Sequence, residues 1–343
     1  MGKCPYYNDY LQLDKILAAQ ELESSKSEKA HDEMLFIVIH QTYELWFKQI
    51  LIEIDSVITI LKKPILNDNS AELQTVVHRL QRTVAILRVL VNQMDVMETM
   101  TAMDFLDFRD QLNPASGFQS WQFKVLEAKL GLQYNYRHGQ EYYVSQLEQP
   151  HINLIKEAEM ESTILTLVNN WLERMPFFDM NTFWQSYHPL VENQDEHPFW
   201  MDYEYMYNLT DTENKHAAFF KTIFTTSNNA QNRQLSPKAC RAALFIMLYR
   251  GYPMLELPFQ LLDTLLEIDN QLGNWRYRHL NMVRRTIGSK IGTGGSTGAG
   301  YLKEALDKHY IFNELSQLTS FLVSRKKLPL LPEELTAKLG YNF

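Results

Sequence analysis

Residues 31 to 61 read HDEMLFIVIHQTYELWFKQILIEIDSVITIL, and this stretch decides the fold. Phe36, His40, Tyr43 and Phe47 recur at steps of four, three and four, so a helix places all four on one face. The run from Met34 to Ile39 is apolar all round, as in a helix enclosed by others. Glu44, Lys48, Glu53 and Asp55 interrupt the sequence too often for a bilayer span. The expectation is a core helix of a soluble protein with one imidazole set in an aromatic wall. A hydrogen-bonded core histidine is the commoner outcome for such a residue, and an active-site histidine is the alternative.

Downstream, Pro64 ends this helix and Asn67 to Ser70 make a turn. Leu73, Val76, Leu80, Val84, Leu87, Val91 and Met94 then form a stripe at steps of three or four, which predicts a second amphipathic helix. Met94, Met97, Met100 and Met103 follow at steps of three and read as flexible core filling. Phe105, Arg109 and Leu112 continue along one helical face until Asn113–Pro114 stops it. An arginine among apolar neighbours needs an anion. Asp104, Asp107 and Asp110 are the local candidates, and a substrate is the alternative. Ser116 to Gln119 has the spacing of a capping box before a helix from Trp121 to Leu130.

Between Gly131 and about Gln234 aromatics mix with polar residues, prolines recur at 150, 176, 189 and 198, and only Glu157 to Leu172 reads as helical. This is expected to be an irregular, smaller helical lobe, 131–235, attached to a helical core. Ser236–Pro237 then reads as N-cap and first position of a helix to Tyr249, and Pro258 as the start of another long one burying Leu261, Leu262, Leu265, Leu266 and Ile268. A last helix is expected from about Tyr301 to Leu322, with the basic stretch Arg325–Lys327 after it. Nothing alternates for long at period two, so the fold class is all-α. Upstream, residues 1–30 form a polar arm with Tyr6, Tyr7 and Tyr10 and an apolar patch of Leu11, Leu13, Ile16 and Leu17. It is too short to fold alone and must lie on another surface.

At 343 residues the chain can bury a large core, and its net charge of −8 argues against a nucleic-acid partner, which is held through clustered Lys and Arg. Cys4 and Cys240 are too few for a disulfide framework or a thiolate metal site, which points to a reducing compartment. MGKCPYYNDY lacks the charged-then-apolar pattern of a signal, and Tyr6 stands where myristoylation wants Ser or Thr. A cytoplasmic protein without a membrane partner is expected.

Trp275, His279 and Met282 share a helical face surrounded by Arg276, Arg278, Arg284 and Arg285. This is either a solvated basic face with one core histidine, or a helix whose His279 ligates a metal or heme iron while arginines pair with the cofactor's carboxylates. Six of the 13 glycines fall in GSKIGTGGSTGAG, 288–300. No G-K-[ST] follows four spacers, and the G-x-G at 292–294 has Thr297 where its third glycine belongs, so neither phosphate motif is met. A lid over a small-molecule site, with Thr293 supplying a hydroxyl, stands against a plain linker. Glu28/His31 and Glu213/His216 have the Glu-x-x-His spacing of di-iron bundles, but both lie in polar, poorly periodic stretches.

Taken together, HDEMLFIVIHQTYELWFKQI, ETMTAMDFLDFRDQLNPASGFQS and WRYRHLNMVRRTIGSKIGTGGSTG closely resemble the tryptophan 2,3-dioxygenase family. The resemblance runs from YNDYL at 7–11 to the final helix and is weakest between about 132 and 235. It implies an all-α homotetramer, each subunit enclosing one heme b with Fe(II) in the active state. The implied reaction inserts both atoms of O₂ into L-tryptophan to give N-formyl-L-kynurenine, the first step of the kynurenine pathway. By the same resemblance His279 is the axial heme ligand, with Trp275 one turn before it, and His40 meets the indole N–H. Arg109 grips the substrate carboxylate and Thr293 lies near the ammonium and carboxylate. Phe36, Phe105 and Leu112 line the pocket, Ser116 and Gly117 lie beside heme and substrate, and Tyr7, Tyr10 and Leu11 of the 1–30 arm enter a neighbouring subunit's site, residues 31–343 forming the dioxygenase domain. A heme monooxygenase of the same superfamily and a tryptophan- or gas-sensing heme protein are the rival readings.

Overall fold

The computed structural model describes residues 4 to 340 apart from 5, 133, 135–145, 192–195, 211–216, 225–232, 289–301, 304–305 and 307–308. Among the described residues every regular element is helical, and no helix is long and apolar enough to cross a membrane.

The chain opens with two five-residue helices, α1 (Tyr7–Leu11) and α2 (Leu13–Leu17), neither of which buries a residue. A 3₁₀ turn follows and is tied to the start of α3 (Glu33–Leu61): the buried Glu33 carboxylate accepts from Glu23 N at 2.8 Å and Ser24 N at 3.0 Å. Ser70 caps α4 (Ala71–Met97), its hydroxyl accepting from Leu73 N. The predicted stripe of α4 is buried except Val91, which is half-buried. Met94, Met97 and Met100 fill core as expected, but Met103 is 69% exposed, because it stands on α5 (Ala102–Arg109) beyond the Thr101–Asp104 capping box that resets the helical phase.

The Ser116–Gln119 capping box forms, but it closes a 3₁₀ turn, Gly117–Gln119, and the helix α6 (Trp121–Leu130) is capped by Ser120 instead. The span 157–172, expected as one helix, is broken at Glu161 to Thr163: α7 (Gln149–Met160) ends there, and Thr163 caps α8 (Ile164–Glu173) by accepting from Thr166 N. Two further helices, α9 (Pro198–Asn208) and α10 (Ala217–Phe224), lie in the stretch expected to be irregular. Aromatic side chains hide their period, since Phe199, Trp200, Tyr203 and Tyr207 are buried by the rings around them.

Ser236 caps α11 (Pro237–Tyr249) as read from the sequence. The next helix, α12 (Pro253–Thr286), starts five residues earlier than expected, with Pro253 in its first turn and Pro258 buried inside it. Pro253 occupies a position whose N–H has no helical acceptor in any case, so that proline serves as the entry, and Pro258 forfeits only one further bond. No continuous helix covers Tyr301–Leu322: His309 and Tyr310 are non-helical, α13 spans only Asn313–Gln317, and the last helix is α14 (Glu333–Leu339). α4 packs against α3 on one side and α12 on the other, and one apolar cluster runs through α3, α4, α8, α11, α12 and the C-terminal segments.

Candidate functional site

On α3 the ring of Phe36 lies 4.1 Å from His40 between centroids, one helical turn apart. His40 Nδ1 is 2.7 Å from the Phe36 carbonyl oxygen. A carbonyl can only accept, so Nδ1 carries the proton and donates it, and the neutral ring is left with a bare lone pair on Nε2. Burial holds the imidazole below its ordinary pKa, against the opposing pull of that carbonyl and of Glu44. Phe105 and the fully buried Phe108 of α5 close the other side, their centroids 5.8 and 5.6 Å from Phe36. One turn further along α3, Tyr43 donates to Leu90 O at 2.9 Å and its ring faces Trp275 edge-on at 6.1 Å. Trp275 also meets Phe123 of α6 at 5.0 Å, and Phe123 meets Phe47 at 5.3 Å.

Trp275 stacks on His279 at 5.5 Å. His279 Nδ1 is buried with no hydrogen-bond partner. Burial, and to a lesser degree the neighbouring His40, push the His279 pKa down to about 4. The two histidines are therefore close enough to feel one another, and both are neutral at pH 7. Each lies deep in the chain yet is only partly covered.

This burial has a pH signature that is easier to read in the α9 region than at the site. His197, against Phe178 and Trp184, is pushed to about 4 by burial and then by Arg241. A folded-state pKa below the unfolded value of 6.5 means that the unfolded chain binds more protons between those pH values, so stability falls as pH drops from 6.5 toward 4. Asp269, raised by burial from 3.8 to about 6, works with the opposite sign, its contribution declining as pH rises through that window. In His197→Phe the fall in unfolding free energy from pH 6.5 to pH 5, measured in urea, is expected to be shallower than in the parent. Equal slopes would count against a neutral His197.

Arg109 stands on the last turn of α5, one turn beyond Phe105, its side chain 15% exposed and 4.0 Å from the Asp110 carboxylate, which is 95% exposed. Asp104, another expected partner, is engaged in the Thr101 capping box. Leu112 packs half-buried against the core. Ser116 accepts from Phe118 N at 3.3 Å, and Gly117 is exposed with open space where a Cβ would stand. Thr293 and the rest of the glycine stretch from 289 on lie outside the described residues, as do Glu213 and His216. Tyr7 and Tyr10 are 69% and 73% exposed and Leu11 half-buried, on an arm fastened to α3 where Gln41 donates to Ala19 O at 2.9 Å.

One expectation changes. Arg276 pairs with Glu127 of α6 at 2.7 Å and Arg278 with Asp95 of α4 at 2.7 Å, so those two arginines of the basic face serve inter-helix contacts. Glu28 and His31 are exposed, whereas a carboxylate metal site needs them inside apolar helices, and the described residues contain no metal-holding group of His, Cys, Asp and Glu. The sequence reading missed Phe108 and Phe123. Phe108 was findable from its i+3 spacing to Phe105, whereas Phe123 carries no local signal.

Among the described residues this is a helical protein that sets two neutral imidazoles among aromatic rings, with Arg109 one helical turn past Phe105. The family model described as tryptophan 2,3-dioxygenase matches residues 2–322. The tryptophan 2,3-dioxygenase of Alteromonas mediterranea is 42% identical over 98% of this chain and 97% of its own length. That of Rattus norvegicus is 42% identical over 94% and 83%, and tryptophan 2,3-dioxygenase B of Danio rerio is 43% identical over the same shares. The chain belongs to the tryptophan 2,3-dioxygenase family.

Proposed function

We propose that this chain inserts both atoms of O₂ across the indole C2–C3 bond of L-tryptophan to give N-formyl-L-kynurenine, using heme b held by His279, in the cytoplasm. The observation that carries the reading is the His40 tautomer: a lone pair on Nε2 in an aromatic slot accepts from an indole N–H. The fit to heme rests on His279, a neutral and only partly covered imidazole with Trp275 stacked beside it, which would hold the group through a ring nitrogen. When bound, the heme supplies the oxygen chemistry.

The side chains do the positioning. Arg109 takes the substrate carboxylate through its planar fork, and Thr293 is the hydroxyl proposed to meet the ammonium and carboxylate groups. His40 holds the indole edge, while Phe36, Phe105 and Leu112 keep the slot dry. Ser116 and Gly117 belong beside the cofactor. Electrophilic attack at C3 does not require the N–H proton to leave first, so His40 orients the substrate and is not an obligatory base. His40→Ala is expected to lose one neutral hydrogen bond, about 2- to 10-fold in turnover. A folded, heme-loaded His40→Ala with no turnover would refute that role.

We further propose a homotetramer in which the 1–30 arm reaches a neighbour's site, Tyr7, Tyr10 and Leu11 touching it, with 31–343 as the catalytic domain. In its support, α1 and α2 bury nothing, and Val38, Leu45 and Ile52 expose an apolar stripe at steps of seven along α3. The deciding experiment records the visible spectrum of the reduced protein before and after tryptophan and isotopically labelled O₂, then the product mass. Two labelled atoms in the product are expected. A single one means a monooxygenase, and a spectral change without product means a sensor.

A further inference from the structure

Asp269, Gly273 and Arg276 lie at steps of four and three on one face of α12, and all three hold the same short segment, 309–312. Asp269 accepts from Ile311 N at 3.1 Å and from Phe312 N at 2.6 Å. A Cβ on Gly273 would come within 3.3 Å of the Tyr310 hydroxyl, so the glycine lets that side chain lie on the helix. Arg276 donates from Nη1 to His309 O at 3.1 Å and from Nη2 to Glu127 Oε1 at 2.7 Å, with both charged side chains 5% exposed. His309 Nδ1 lies 3.7 Å from the same Glu127 oxygen. A buried ion pair seldom adds net stability over apolar side chains of the same volume, so a gain in stability is a poor account of why charges stand here. What the pair does supply is directional: two donors of one planar group, aimed at α6 and at the returning chain, fix the rotation of α12 about its own axis. Arg276 directly follows Trp275 and precedes His279 by one turn. A ring about 6 Å from a helix axis moves roughly 1 Å for a 10° turn of the helix.

We propose that Arg276 is a positioning residue: through Glu127 and the His309 carbonyl it sets the azimuth of α12 and so aims the His279 imidazole at the heme iron. This rests on His279 being the axial ligand. The test uses the full-length chain loaded with hemin. It reads the iron–imidazole stretching band of the reduced protein by resonance Raman, the rate of hemin release to an excess of apomyoglobin, and the melting temperature of the apoprotein. Arg276→Met is expected to shift or broaden the band and speed hemin release about 10-fold, the range seen when the outer partner of a metal ligand is removed. Arg276→Lys, which keeps the charge and loses the fork, falls between. The double variant Arg276→Met/Glu127→Met is expected to regain the parent's melting temperature without regaining its band, a split that a merely structural role would not produce. Glu127→Gln, which keeps the shape, is expected to move the band the same way and serves if Arg276→Met does not fold. Folded variants with the parent's band and release rate would overturn the proposal, and so would a double variant that regained both. A parent chain that binds no hemin, or a band that survives in His279→Ala, would instead sink the axial-ligand assignment itself.

Discussion

His279→Ala is expected to fold, melt close to the parent in its apo form, and lose the Soret absorption of heme bound through a protein nitrogen. The imidazole is neutral, stacked on Trp275, and forms no internal hydrogen bond through its buried Nδ1, so removing it leaves the surrounding helices without an orphaned partner. Deleting a buried ring usually costs stability through the cavity left behind. Here the ring is only partly covered, and that cost is expected to be small. The loss of dioxygenase turnover should exceed the roughly 100-fold that removal of an outer-shell partner can cost, because the ligand itself is gone. Activity and spectrum would be measured on hemin-reconstituted protein, and added imidazole is expected to restore part of both. A variant with the parent's Soret band would place the iron elsewhere.

Arg109→Leu is expected to raise the KM for tryptophan about 10- to 100-fold while kcat changes far less. The estimate is the loss of one or more charge-assisted hydrogen bonds, each netting about 1.5–3 kcal/mol. Arg109 lies one turn past Phe105, whose ring meets Phe36 and thereby the His40 wall; under the proposed function its guanidinium would take the amino-acid end of a molecule whose indole meets His40. Tryptamine, which lacks the carboxylate, should be handled alike by parent and variant. Steady-state kinetics with both compounds checks this, and an unchanged KM for tryptophan would argue against the clamp.

Helices that bury a continuous stripe were legible from period, as α3 and α4 were, and α11 was legible from its Ser236–Pro237 start. Where punctuation mattered the reading slipped for identifiable reasons. Pro258 reads as a start because proline favours first turns, yet Pro253 took that place. Ser116 has the right partner at the right distance, but Ser120 stands where α6 begins. In α9 five of 11 residues are aromatic and in α10 three of eight, and a ring wide enough to be buried from several sides blurs the stripe that a leucine would draw. Within the site, the aromatic wall around His40 was visible in the local spacing. Its nearness to His279 was not, since pairing between distant segments leaves no periodic trace. Nor was the diversion of Arg276 and Arg278 into inter-helix ion pairs, because a basic face looks the same whether its partners are acidic side chains or a ligand.

The two opening helices bring tyrosines to the surface and have no core of their own. If they complete a neighbour's pocket, then a lone subunit is an unfinished catalyst, and specific activity becomes a function of the protein's own concentration. On dilution below the assembly threshold, turnover per heme is expected to fall while the Soret band stays, and limited trypsin should then begin at Lys15.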